Sequence, residues 1–186
     1  MKFLYLLPLL LILLGACSDS ADDQSMDDSF SPPLLTAAES GDLPAIRKLL
    51  DENSPVDVMD ACLWTPLMKA ALNGHYEAAE RLIEAGAEVN QLDKGGYSAL
   101  MLAASNNHAD IVELLLTHGA KIDQVEVTGG WTALIWAAKL GHTDAVQALL
   151  KHHPNPEIRD FDGLTALDWA EKTQYPEITA LLNSAG

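Results

Sequence analysis

Four stretches of this chain are variants of one phrase: Trp64-Thr65-Pro66-Leu67-Met68-Lys69-Ala70-Ala71, Tyr97-Ser98-Ala99-Leu100-Met101-Leu102-Ala103-Ala104, Trp131-Thr132-Ala133-Leu134-Ile135-Trp136-Ala137-Ala138 and Leu164-Thr165-Ala166-Leu167-Asp168-Trp169-Ala170-Glu171. Their hydroxyl positions 65, 98, 132 and 165 are spaced by 33, 34 and 33 residues. Thr65, Ser98, Thr132 and Thr165 are read as N-caps, whose side-chain oxygens accept from the free N–H groups of a following helical turn. Pro66 then falls at the first helical position, where its missing N–H costs nothing. Leu and Ala line one face of a short helix, and Ala lets neighbouring helices approach closely. Gly74, Asn107 and Gly141 turn the chain into a second helix. That helix is expected to stop at Gly86, at Gly119 and, in the first copy, at Asn53, residues that accept a left-handed conformation. Pro44 and Pro176 fall in the first turns of second helices, where proline is tolerated. The segments 90–96 and 156–163 read as extended fingers leading to the next unit. Five units follow, with helices opening near residues 33, 65, 98, 132 and 165, and the outer two read as terminal caps.

A period near 33 with this content resembles the ankyrin repeat, over residues 32 to 186. The resemblance implies an all-α solenoid of about five helix-turn-helix repeats with hairpin-like fingers. Two places depart from the family pattern. Where the family carries the His of Thr-Pro-Leu-His, this chain has Met68, Met101, Ile135 and Asp168. Apolar packing is therefore expected in place of a polar link between repeats. His153, followed by Pro154, stands where Gly86 and Gly119 stand in earlier units, so an altered turn is expected there.

The N-terminus carries a different message. Met1-Lys2 is a short basic start, and residues 3–14 are almost entirely Leu, Ile, Phe and Tyr. That run is too short to span a bilayer comfortably and reads as a secretory h-region. Leu14-Gly15-Ala16-Cys17 resembles the lipobox of bacterial lipoproteins, which implies cleavage after residue 16 and lipidation of Cys17. Two or three acyl chains hold a protein firmly to a membrane. Ser18, rather than Asp, after the cysteine favours the outer membrane under the sorting rule the resemblance implies. The expected product is lipid-anchored in the bacterial cell envelope and faces the periplasm. With Cys17 given to lipid, no intrachain disulfide is expected to staple the fold, since the chain has two cysteines. Cys62 aligns with Gly95 and Asp162 near a finger tip, where an accessible thiol is expected.

The expected organisation is thus a signal peptide at 1–16, a lipidated cysteine and acidic flexible tether at 17–31, and the repeat domain at 32–186. The tether holds five Asp and no basic residue, and too little apolar surface to fold. As a coil it spans roughly 20 Å.

The formal charge is −16, or −17 once Lys2 is removed. Such acidity argues against nucleic acid, whose phosphates repel it, and favours a protein partner with a basic surface. Catalysis finds no support: His75, His108 and His142 recur at repeat spacing and match a structural position of the family. His118, His152 and His153 lack the Cys/His/carboxylate spacing of zinc sites. No phosphate loop, nucleophile elbow or His-Glu-x-x-His motif occurs, and no metal or cofactor is expected. Asp160-Phe161-Asp162-Gly163 is a finger turn rather than a calcium loop.

Binding is the expected activity, by a monomer. The resemblance places a partner against the finger tips and the exposed side of the first helices. Trp64, Tyr97, Trp131 and Leu164 precede the four N-caps, with Phe161 close by, and aromatic residues dominate interface energetics. The alternative is that these rings pack within and between repeats, as Trp136 and Trp169 are expected to do. Asp60, Asp93, Asp160 and Asp162 would steer a basic partner. Exported members of the family are linked to protection of an envelope enzyme, such as catalase, and to immunity against a toxin.

Overall fold

A computed structural model describes residues 31–185. The expected signal peptide, Cys17 and the expected tether up to residue 30 lie outside the described residues. Ten helices follow in pairs: α1 (Pro33–Ser40) and α2 (Leu43–Asp51), α3 (Pro66–Asn73) and α4 (Tyr76–Glu84), α5 (Ala99–Ser105) and α6 (Ala109–Thr117), α7 (Ala133–Leu140) and α8 (Thr143–Leu150), α9 (Ala166–Thr173) and α10 (Pro176–Ala185). There is no strand among the described residues, and none of the helices is long and apolar enough to cross a membrane.

Four of the five first helices start where the hydroxyl residues place them; α1 follows Pro32 and has no side-chain cap. Thr65, Ser98, Thr132 and Thr165 accept from the backbone N–H of Met68, Met101, Ile135 and Asp168 at 3.1–3.3 Å. The caps are themselves buried, so each hydrogen bond satisfies a donor that water does not reach. The odd-numbered helices stack in one row and the even-numbered helices in a second. The core lies between the rows. Leu35, Leu67, Leu100 and Leu134 come from one side, and Ile46, Leu82, Leu115 and Leu149 from the other, all buried. Each such side chain contributes about 1.5–3 kcal/mol on burial.

Met68, Met101 and Ile135 are buried, as expected for apolar replacements of a polar link. Asp168 differs. It is half-exposed, closes a capping box with Thr165 and lies 3.4 Å from Arg159. The link between repeats comes instead from the histidines. His75, His108 and His142 each donate from Nε2 to a carbonyl at the end of the preceding first helix, on Glu39, Leu72 and Ser105. The imidazole of His108 sits so close over Gly74 that a Cβ there would come within 2.5 Å of the ring. In the last unit Tyr175 takes this place over Gly141.

The altered turn expected in the fourth unit is found in part. His153 adopts φ +54, the same left-handed conformation as Gly86 and Gly119, so that part of the turn is retained; it is altered at Pro154, which lacks the N–H that Ser54, Ala87 and Ala120 donate to Leu49, Leu82 and Leu115 O. The imidazole is accommodated because the position opens away from the stack: a Cβ at Gly86 or Gly119 meets nothing within 4 Å.

Candidate functional site

The fingers are built around carboxylates. Asp60 Oδ1 accepts from the backbone N–H of Cys62 at 2.8 Å and Trp64 at 3.0 Å. Asp93 Oδ1 accepts from Gly95 and Tyr97, both at 2.8 Å, and Asp160 Oδ1 from Asp162 at 3.0 Å and Leu164 at 2.8 Å. In each finger the Asp backbone N–H also donates to the carbonyl four residues on, closing a hairpin. Three of the four acids expected to steer a partner therefore fold their own fingers. Asp160 is buried and Asp60 and Asp93 are half-buried; Asp162 alone of the four stands exposed.

The third finger is one residue longer, and its acid is Glu126, which the sequence reading passed over. Five residues separate Glu126 from Trp131, where the other fingers use four. The extra methylene of Glu spans that added residue. Its carboxylate accepts from Gly129 N at 2.7 Å, from Trp131 N at 3.0 Å, and from both the N–H and the hydroxyl of Thr128. Register alone signals it, since Glu126 follows Asp93 by 33 residues and precedes Asp160 by 34.

Neighbouring fingers are tied by single backbone bonds, Lys94 N to Cys62 O, Val127 N to Gly95 O and Phe161 N to Gly129 O. The finger tips consequently line up from one repeat to the next. Cys62, at the first finger tip, is half-buried. Its alignment with Gly95 and Asp162 predicts an accessible thiol; the structure corrects this by enclosing the residue in part, where Asp162 stands exposed.

The aromatic positions divide by environment. Trp64 is half-buried, with Lys69 Nζ 5.0 Å from its ring centroid. Tyr97 is buried against Gly95, and its hydroxyl lies 2.9 Å from Thr128 Oγ1. Because Thr128 gives its hydroxyl proton to Glu126, Tyr97 is the donor in that pair. Trp131 is half-buried, Leu164 is half-buried, and Phe161 is exposed. Trp136 and Trp169 are buried in packing roles, as expected.

What composition does not show is how these rings connect. Trp136 lies 6.2 Å from Tyr97 and makes an edge contact with Trp131 at 4.7 Å. Lys139 Nζ sits 3.6 Å from the Trp131 centroid and 4.0 Å from that of Trp169, and Lys172 covers Trp169 at 4.4 Å. Asp160 Oδ2 joins the edges of the same two indoles, accepting from Trp131 Nε1 at 3.0 Å and Trp169 Nε1 at 2.7 Å. Each cation–π contact contributes about 0.5–2 kcal/mol, more where water is excluded. Removal from water between two rings lowers the Lys139 pKa, against the pull of Asp160 and Asp162. The row from Tyr97 to Trp169 is therefore held rigidly across three repeats. Trp136 Nε1 is buried in it without a hydrogen-bond partner among the described residues.

Asp93 and Asp160 show what the ring row does electrostatically. Burial raises the Asp93 pKa; the Tyr97 and Gly95 bonds oppose this, while Asp60 and Glu126 add like charge. Burial also acts upward on Asp160, but bonds from Leu164, both indoles and Asp162 outweigh it, and its pKa is lowered. Two acids in one register thus shift in opposite directions.

No group of three or more His, Cys, Asp or Glu among the described residues is arranged to hold a metal ion. His152 and Lys151 instead meet Glu113 across the second-helix row, each at 2.6 Å, and His118 bonds to Leu114 O.

No match was found among curated proteins. A family model described as "Ankyrin repeats (3 copies)" matches residues 34–126 and again 122–186. With the capped helix pairs, the linked fingers and this match along the described domain, the chain belongs to the ankyrin-repeat family.

Proposed function

We propose that this protein is a non-catalytic, envelope-anchored binding module: a lipoprotein whose ankyrin domain grips another protein with its fingers and first helices. Ankyrin repeats typically mediate binding to other proteins. The observation that carries the reading is the row of rings fixed by Lys139 and Asp160, with Trp64, Trp131 and Phe161 left partly or wholly open to solvent. A rigid aromatic surface loses little conformational entropy on binding, which favours affinity. The acidity of the chain favours a partner with a basic surface.

Anchoring is carried by Leu14-Gly15-Ala16-Cys17, with the tether giving the domain clearance from the lipid headgroups. The domain works as a monomer on the periplasmic side, at the outer membrane in preference to the inner. Chemistry allows the Cys17 sulfur one of two bonds, a thioether to lipid or a disulfide. Intact mass and peptide mapping of the mature protein therefore test the anchor directly. A diacylglyceryl adduct at Cys17 is expected, and Cys17→Ser should move the protein from the detergent phase to the soluble fraction. Recovery of Cys17 in a peptide disulfide-linked to Cys62 would overturn the lipoprotein reading while leaving protein binding untouched.

A further inference from the structure

The first finger breaks a rule that the others keep. Gly96, Gly130 and Gly163 stand at one register with φ of +78, +75 and +77, and Leu63 occupies that register with φ +65. A leucine in this conformation is strained where glycine is not, because its Cβ crowds the following carbonyl. Burial does not compensate, since the side chain is 39% exposed. Residues held in such conformations cluster at functional sites, which makes Leu63 a candidate contact. The same line of tips carries two further apolar residues, Val127 at 66% and Phe161 at 70% exposure. The Phe161 ring lies against Gly130 and the Val127 side chain against Gly96, each the glycine of the preceding finger, so each of these tips leans on the finger before it.

We propose that Leu63, Val127 and Phe161 are the apolar anchor of the partner-binding surface, and that the partner offers apolar side chains set among basic ones. The proposal rests on the protein-binding reading above and names its contact and its chemistry. Charge selects the partner. Of the net −16, residues 32–186 carry −12, because Lys2 and the five tether Asp together account for −4. Asp162 stands exposed directly beside Phe161; Lys94, at the second tip, is the exception. Apolar contact supplies affinity at the tips, and the surrounding negative potential excludes acidic surfaces.

Panning a random peptide library displayed on phage against the full mature protein tests this. Selected peptides should combine apolar residues with Lys or Arg. They should bind about tenfold more weakly, a difference of about 1.4 kcal/mol, to Leu63→Asn and to Phe161→Ser. Asn tolerates the left-handed conformation, so Leu63→Asn removes the apolar contact without loosening the turn. Leu63→Gly should melt at or above the parent temperature while losing the same affinity, a split that a merely structural leucine would not show. Equal affinity for parent and variants overturns the proposal, as do selected peptides that are acidic or a failure to select any. Self-association of the parent that Phe161→Ser abolishes also overturns it, because the tips then seat a second copy. Peptides that lose affinity on Trp64→Ala but not on Leu63→Asn or Phe161→Ser would leave protein binding standing and remove the tip anchor alone.

Discussion

Asp160 is the residue at which a one-atom change should be felt most. Its Oδ1 closes the fourth finger and its Oδ2 joins the edges of Trp131 and Trp169. Asp160→Asn is isosteric, so no cavity term enters. An amide oxygen facing the finger preserves the bonds from Asp162 and Leu164, but the amide nitrogen then points two N–H donors at two indole N–H donors. Hydrogen bonds to a charged acceptor contribute about 1.5–3 kcal/mol each, and a buried donor left unpaired costs about 1–3 kcal/mol. Trp131 is half-buried and recovers part of its loss from water, whereas Trp169 does not. The expected destabilisation is therefore about 3–4 kcal/mol. It should fall mainly on the last two repeats, since each repeat touches only its neighbours. Urea unfolding followed by tryptophan emission reads it, as a lower midpoint or as a separate early transition with a red shift. Asp162→Asn is the control: that carboxylate is exposed, and a change below about 0.5 kcal/mol is expected. The pH dependence adds a second check. Because the folded pKa of Asp160 is lowered, its contribution is complete above the ordinary carboxylate range, about 4, and is lost as pH falls through the lower folded value. Asp160→Asn should flatten that part of the acid profile. A variant within about 1 kcal/mol of the parent at neutral pH would refute the account of the ring row.

Glu126→Asp should cost about 1–2 kcal/mol in thermal or urea unfolding, because the shorter side chain fails to reach across the extra residue of the third finger. Tyr97→Ala should lower stability by about 3–5 kcal/mol, as for other buried aromatics. Trp64→Ala should lower it much less and show its effect in partner affinity, by about 2 kcal/mol. Gly74→Ala should be strongly destabilising by melting temperature, since φ is +75 and the new Cβ meets the His108 ring at 2.5 Å. Glu113→Gln should weaken the contact of the third and fourth repeats at neutral pH. The Glu113 pKa is lowered by the Lys151 and His152 bonds, so the gap between variant and parent should close as pH falls through the folded Glu113 pKa.

The sequence by itself determined the repeat, its caps and its turns. These depend on interactions within a few residues: a hydroxyl three positions before the N–H it caps, a proline at a first turn, a glycine where φ is positive. Such signals recur at a fixed period and reinforce one another, so residues 33, 66, 99, 133 and 166 open helices within one residue of expectation. The outward fate of a side chain was not legible in the same way. Tyr97 and Trp131 share a register, yet one is buried and the other half-exposed, and Asp93 and Asp160 share another with opposite pKa shifts. Those differences arise from the repeat stacked alongside: Trp131, 29 residues away, beside Asp160, and Thr128, 31 residues away, beside Tyr97. At His153 the structure keeps the left-handed residue, because that position opens away from the stack, while Pro154 forgoes the bond that closes the turn in other units. Local hydrogen bonding fixes where a solenoid's elements lie. Packing between its units decides which of the remaining side chains are left for a partner.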